Sequence, residues 1–293
     1  MSDSVRGYPL RAFVICLIAY TTAQMDLALF GYAVPAIRAE FGLTLSEVMA
    51  IVSTAFLLGG ALLVLLGWLA DRVGRLPLFQ FSLLGSSFLV ALISIAPGVA
   101  TLTALRGASI AVGGLSYPIT GAIITEEMPA RLRGLFMGLL QIGYPLGWAL
   151  ASLWSMWLLT EYGWRQLFWV GLVSLPTVWV VRRYLREPPR SVAARSTKAP
   201  PRFSDLFASG IRERAITLFV AQFLFVWAYA ASIFLFPSFL REVRSLDAFN
   251  FSLLIGAGNA IGVLGYVLAA WIGERVWTRR NTVVLWTLLG AML

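Results

Sequence analysis

Asp26 and Arg106 are the two charged side chains that fall inside segments apolar enough to cross a bilayer, and their chemistry bounds what this chain can do. An ionisable group in hydrocarbon costs several kcal/mol unless it is paired or watered. A carboxylate placed there can take up and release a proton, and a guanidinium can pair with it or hold an anion. The chain contains no histidine, so a proton carried through it has only carboxylates or water to ride on. Asp26 is the first candidate, with Glu126 and Glu127 near the end of a later apolar segment. A purely structural Asp26–Arg106 ion pair is the alternative.

The elements that must position these groups follow from composition. With 59% hydrophobic residues, 13% charged and a mean hydropathy of +0.81, the chain has no solvated face to offer as a soluble domain. Segments 12–34, 48–70, 76–96, 107–125, 134–160, 166–181, 215–240 and 248–273 predict eight membrane spans. Lipid leaves backbone groups no outside partner, and ten-residue alternating strands are missing, so the predicted class is an all-α integral membrane protein. Residues 281–293 cover about 20 Å at 1.5 Å per residue, part of a ninth helix. The first apolar segment is full length and lacks a small-residue cleavage site, so it is expected to stay as an anchor. Cys16 stands alone, which rules out an internal disulfide.

Along a helix entering at Leu10, Asp26 lies about 24 Å in, whereas Arg106 lies about 9 Å from the far end of a helix entering near Ala100. Both are thus expected in the outer half of the membrane. Most arginines collect on one face if the N-terminus is cytoplasmic, with Arg38, Arg165, Arg241 and Arg244 outside. This bias accounts for the formal charge of +9 by a basic belt beside anionic headgroups, without nucleic acid. A Pro-Pro, Ser and Arg-rich stretch with the only lysine, Lys198, predicts a cytoplasmic linker at 188–213 between a six-helix part, 1–187, and a second part, 214–293. Glu274-Arg275-Val276 repeats Asp71-Arg72-Val73 at a separation of 203 positions (274 minus 71), a parallel internal repeat.

Between the second and third spans stands Gly67-x-x-x-Asp71-Arg72-x-Gly74-Arg75. This loop resembles the signature of the major facilitator superfamily. Arg106-Gly107 with Gly113-Gly114, Glu126-x-x-Pro129-x-x-x-Arg133-Gly134 and Arg186-Glu187-Pro188-Pro189 are similar to further motifs of that superfamily. Asp26, Gly31 and Pro35-Ala36-Ile37 resemble the first helix of its metabolite:proton symporters, the branch that carries aromatic and other organic acids; Ala23 stands where those carriers usually hold a second aspartate. The resemblance implies a helical bundle with a six-helix N-terminal half and an incomplete second half, working by alternating access as a proton-coupled importer of a small organic acid in the plasma or bacterial inner membrane. Sugar or drug transport is the neighbouring reading. A fragment or membrane-embedded partner that does not transport alone is the reading from another class.

The superfamily's helices 1 and 4 line a central cavity, which implies Asp26 as the proton-coupling carboxylate and Arg106 as the anion site, facing one another until substrate or a proton competes. Tyr117, Gln141, Gln222 and Tyr229 lie on cavity-lining helices and are the further substrate-binding candidates, with interhelical hydrogen bonding as the alternative for Gln141 and Asn259. Gly67 is expected at a close helix approach and Gly74 at a tight turn. Asp71 requires a donor elsewhere, because a helix C-terminus disfavours a carboxylate; the resemblance implies one in the second half. Glu126 is expected to pair with Arg131, Arg133 or the Arg72 loop. The chain shows no P-loop, metal-ligand cluster or nucleophile elbow, so neither an enzyme, a cofactor nor an ATP-driven pump is expected.

Overall fold

A computed structural model describes residues 7–187, 210, 212–233 and 236–292, with every side chain except those of 68, 70–72, 225–233 and 291–292. All elements in it are helical. Six helices among the described residues are long and apolar enough to cross a membrane: Tyr8–Phe41, Leu45–Gly67, Arg75–Ile93, Val99–Glu127, Ala130–Glu161 and Ala248–Arg275. They coincide with six of the expected spans. The expected span 166–181 is built instead from a short helix, a 3-10 segment and a second helix. The expected span 215–240 is covered by two helices, with residues 234 and 235 between them outside the described residues. The linker at 188–213 also falls almost wholly outside them.

The first half contains α1 (Tyr8–Phe41), α2 (Leu45–Val73), α3 (Arg75–Ile93), α4 (Val99–Gly114), α5 (Ser116–Glu127), α6 (Arg133–Leu140), α7 (Gly143–Glu161), α8 (Trp164–Leu167), the 3-10 segment Phe168–Ser174 and α9 (Leu175–Tyr184). Then follow α10 (Arg212–Ile233), α11 (Phe236–Glu242), α12 (Ala248–Arg275) and α13 (Arg279–Met292). Local chemistry sets the ends. α1 stops at Gly42, whose φ of 64° is the left-handed cap of a helix C-terminus. Two residues on, Thr44 and Glu47 exchange bonds as a capping box, the Thr44 N–H donating to Glu47 Oε2 at 2.8 Å and the Glu47 N–H to Thr44 Oγ1 at 3.3 Å. Asp247 caps α12 by accepting the Asn250 N–H at 2.8 Å.

Three interruptions inside the spans have one cause. A proline has no N–H for the carbonyl four residues before it. Pro118, Pro145 and Pro176 release the carbonyls of Gly114, Gln141 and Leu172, and the breaks between α4 and α5, between α6 and α7, and in the 3-10 segment sit there.

α1 is the axis of the packing. It lies against α7, α5, the 3-10 segment and α9, while α2 and α3 both pack on α4. Gly147 on α7 permits the closest approach: a Cβ there would stand 2.7 Å from both the Met25 nitrogen and the Thr21 carbonyl of α1. Later in the chain, α12 packs along α6 and α7. A Cβ at Gly134 would collide with Glu274 and Arg279, and one at Gly138 would come 2.6 Å from the Ala270 Cβ. The glycine after Arg133 is therefore where the end of α12 and the start of α13 touch α6.

Candidate functional site

Asp26 projects from the middle of α1 and Arg106 from α4, and both are buried, at 3% and 2% exposure. They line one cavity of about 100 Å³ whose walls come from α1 to α4, with Gln24, Phe56, Ser86 and Ser109 among its lining. The two groups share this cavity without the ion pair of the alternative reading. Among the described residues no carboxylate oxygen of Asp26 comes within the 4.0 Å of an ion pair to Arg106. Each has another partner. The Arg106 Nη2 donates to the Leu27 carbonyl of α1 at 2.9 Å, and its guanidinium lies 4.6 Å from the Phe30 ring centroid. The Asp26 carboxylate receives the Ser174 hydroxyl, 3.3 Å from each oxygen, at the end of the 3-10 segment.

A guanidinium carries five N–H donors, and Arg106 commits one of them to a hydrogen bond among the described residues. Its side chain lines the cavity, where an anion could be held. Gln24 adds a second polar feature, a buried side-chain oxygen without a hydrogen-bond partner among the described residues. The cavity thus joins a carboxylate that can exchange a proton, a cation that can hold an anion, and an amide that requires a partner.

The other expected substrate contacts do not join it. Gln141, at the break between α6 and α7, donates from Nε2 to the Tyr117 hydroxyl at 2.9 Å, and the Tyr117 ring lies 5.7 Å from that of Tyr20. These three form a separate cluster, and neither Tyr117 nor Gln141 lines the cavity. Gln222 is exposed on α10, a helix whose main packing among the described residues is to α11. The side chain of Tyr229 lies outside the described residues. Asn259 bonds the Ile255 carbonyl of its own helix at 2.9 Å rather than another helix.

The loop motif is held by its own half. Gly74 turns the chain at φ 125°, a conformation open to glycine. Glu187, beyond α9, accepts the N–H groups of Arg75 and Leu76 at 2.8 and 2.9 Å, so a carboxylate caps the positive end of α3. Arg75 pairs with Glu126 of α5. That partner comes from the expected loop, through Arg75, while the Arg133 Nε donates to the Met128 carbonyl at 3.1 Å. The side chains of Asp71 and Arg72 lie outside the described residues. Gly67 is not at a close approach, since a Cβ there would meet nothing within 4 Å. At the opposite end, Arg38 of α1 pairs with Glu242 of α11. Arg165 bonds Glu40 at 2.6 Å and the carbonyls of Ser94 and Ala96 at 2.9 and 3.0 Å, which ties α1, α3 and α8 together.

Gln24 and Ser174 are the site residues that the sequence reading missed. Gln24 carried a signal, a polar side chain two residues before Asp26 on a spanning helix. Ser174 carried none that set it apart from other serines.

A profile of the Major Facilitator Superfamily matches residues 16–293. The chain is 28% identical over 288 residues to a probable 4-methylmuconolactone transporter of Cupriavidus pinatubonensis, covering 94% of this chain and 65% of that protein. It is 26% identical over 286 residues to a cis,cis-muconate transport protein of Acinetobacter baylyi, covering 92% and 67%. Its backbone resembles, with a TM-score of 0.67 at 18% identity over 94% of this chain and 64% of the other, a bacterial homolog of the human lysosomal transporter Spinster in an inward-facing, unoccupied conformation. The chain spans about two thirds of the length of the curated relatives it matches.

Proposed function

This chain belongs to the Major Facilitator Superfamily, and on that premise we propose that it is the larger part of a secondary carrier that imports a small organic acid together with protons by alternating access. The observation that carries this reading is the shared cavity, in which Asp26 and Arg106 are buried among membrane-crossing helices without neutralising each other directly. A buried carboxylate and cation held apart are a costly arrangement for structure alone, and a useful one for exchanging a proton against an anion. The similarity to a probable 4-methylmuconolactone transporter and to a cis,cis-muconate transport protein supports a small organic acid or its lactone as cargo. Asp26 is the proton carrier in this reading and Arg106 the anion contact.

The division into halves at 1–187 and 214–293 is part of the proposal, supported by α12 docking on α6 and α7 and by the repeated loop. Arg75–Glu126 and the Glu187 cap on one face, with Arg38–Glu242 on the other, are the contacts that brace its gates.

Uptake of labelled cis,cis-muconate by proteoliposomes holding the full natural polypeptide tests the function. Accumulation is expected under an inward proton gradient and its collapse on adding a protonophore; accumulation indifferent to the protonophore would rule out proton coupling. The proposed orientation places the N-terminus in the cytoplasm of a plasma or bacterial inner membrane. A reporter fused after Thr160 is expected to be active outside, and cytoplasmic activity would reverse the topology.

A further inference from the structure

Ser174 is a serine apart from its neighbours. Inside these helices the buried hydroxyls of Ser86, Ser109, Ser152 and Ser155 donate to carbonyls three or four residues earlier on their own helix, the usual resting place of a serine in an apolar segment. Ser174, 1% exposed, reaches across 148 positions of sequence to the Asp26 carboxylate instead. It does so from the last residue of the 3-10 segment, where Pro176 has removed the N–H that would have closed an α-turn on Leu172. This hydroxyl is the hydrogen-bond partner of Asp26 among the described residues.

From this geometry we infer that Ser174 is the positioning residue for the Asp26 carboxylate, holding it toward the 3-10 segment and linking the proton on Asp26 to the conformation of that segment. The inference rests on the reading of Asp26 as the proton carrier. A hydroxyl suits the role because it donates to an ionised carboxylate and accepts from a protonated one. Once Asp26 binds a proton, it donates to the Ser174 oxygen and the Ser174 hydrogen is free to turn back to its own helix, as the other serines do, so the bond between the 3-10 segment and α1 reverses its direction. Arg106 of α4 is the charged group that acts on Asp26 through space. The remaining charges on the helices packed around α1 lie at their ends: Asp71, Arg72, Arg75, Glu126, Glu127, Arg133, Arg182 and Arg183 at one, Glu47, Glu161, Arg165, Arg241 and Glu242 at the other.

The test is infrared titration of the carboxyl band in the full natural polypeptide, reconstituted in lipid without substrate. The band that vanishes in Asp26→Asn belongs to Asp26. Ser174→Ala is expected to displace its titration midpoint by about half a unit to one pH unit and to change its stretching frequency. Ser174→Thr is expected to restore both. Ser174→Cys keeps the volume with a weak donor and is expected to behave as Ser174→Ala does, which covers the case of an unfolded alanine variant. An Asp26 band that titrates identically in Ser174→Ala or Ser174→Cys would overturn the inference and leave the carrier role of Asp26 standing. Absence of any titrating band attributable to Asp26 would overturn that role and the inference with it.

Discussion

Asp26→Asn is expected to reduce proton-driven accumulation of substrate to the level of empty liposomes, while exchange of labelled for unlabelled substrate across the same membrane continues. The amide has nearly the shape of the protonated acid and can still accept the Ser174 hydroxyl, so packing in the site is preserved. What it cannot do is release a proton. A carrier locked in the protonated form moves substrate down a gradient or exchanges it, but takes no work from the proton gradient. The measurement is uptake with and without an imposed pH difference, beside counterflow in the same vesicles. Accumulation at the wild-type level would remove Asp26 from the coupling scheme, and loss of counterflow as well as accumulation would point to a folding defect.

The second large effect is expected at Arg106. Arg106→Gln removes the one cation that lines the cavity among the described residues and, with it, the charge-assisted contact that an anionic substrate would make. A contact of that kind is worth about 1.5–3 kcal/mol, so the concentration for half-maximal uptake is expected to rise roughly 10- to 100-fold. Arg106→Lys is expected to recover little. An ammonium cannot reproduce both the Leu27 carbonyl bond and the flat contact with Phe30 while keeping further donors for substrate. Kinetics of muconate uptake across a concentration series check the pair. An unchanged half-saturation in Arg106→Gln would mean that the guanidinium only braces α4 against α1.

The spans were legible because lipid allows a chain few choices, and an uncharged run of about 20 residues is a strong signal. Their interruptions were legible in principle too. Pro118, Pro145 and Pro176 each mark a break, yet an apolar run drawn by hydropathy passes straight through a proline, so 166–181 read as one helix. Asp26 and Arg106 stood out as charges in hydrocarbon. Their partners did not, because nothing local to Asp26 singles out Ser174, and nothing near Arg75 points to Glu187, 112 positions away. Tyr117 and Gln141 read from sequence as polar residues on cavity-lining helices. Only the fold could separate a hydrogen bond between them from a place in the cavity.

The loop at Gly74 illustrates the same division between local and distant information. Its turn follows from a glycine between two charged residues, but its attachment to Glu126 and Glu187 depends on three helix ends meeting at one face. Glu274 and Arg279, bonded to each other, rest against Gly134, a contact between segments some 140 positions apart that nothing local signals.

The most direct test of the central claim runs the carrier backwards. Proteoliposomes holding the full natural polypeptide are loaded with cis,cis-muconate and a pH-sensitive dye, then diluted into buffer without substrate. Efflux is expected to carry protons out and raise the lumenal pH in the wild-type protein, with no pH change in Asp26→Asn although labelled substrate still leaves. Substrate efflux from the wild-type protein without any movement of protons would contradict the account.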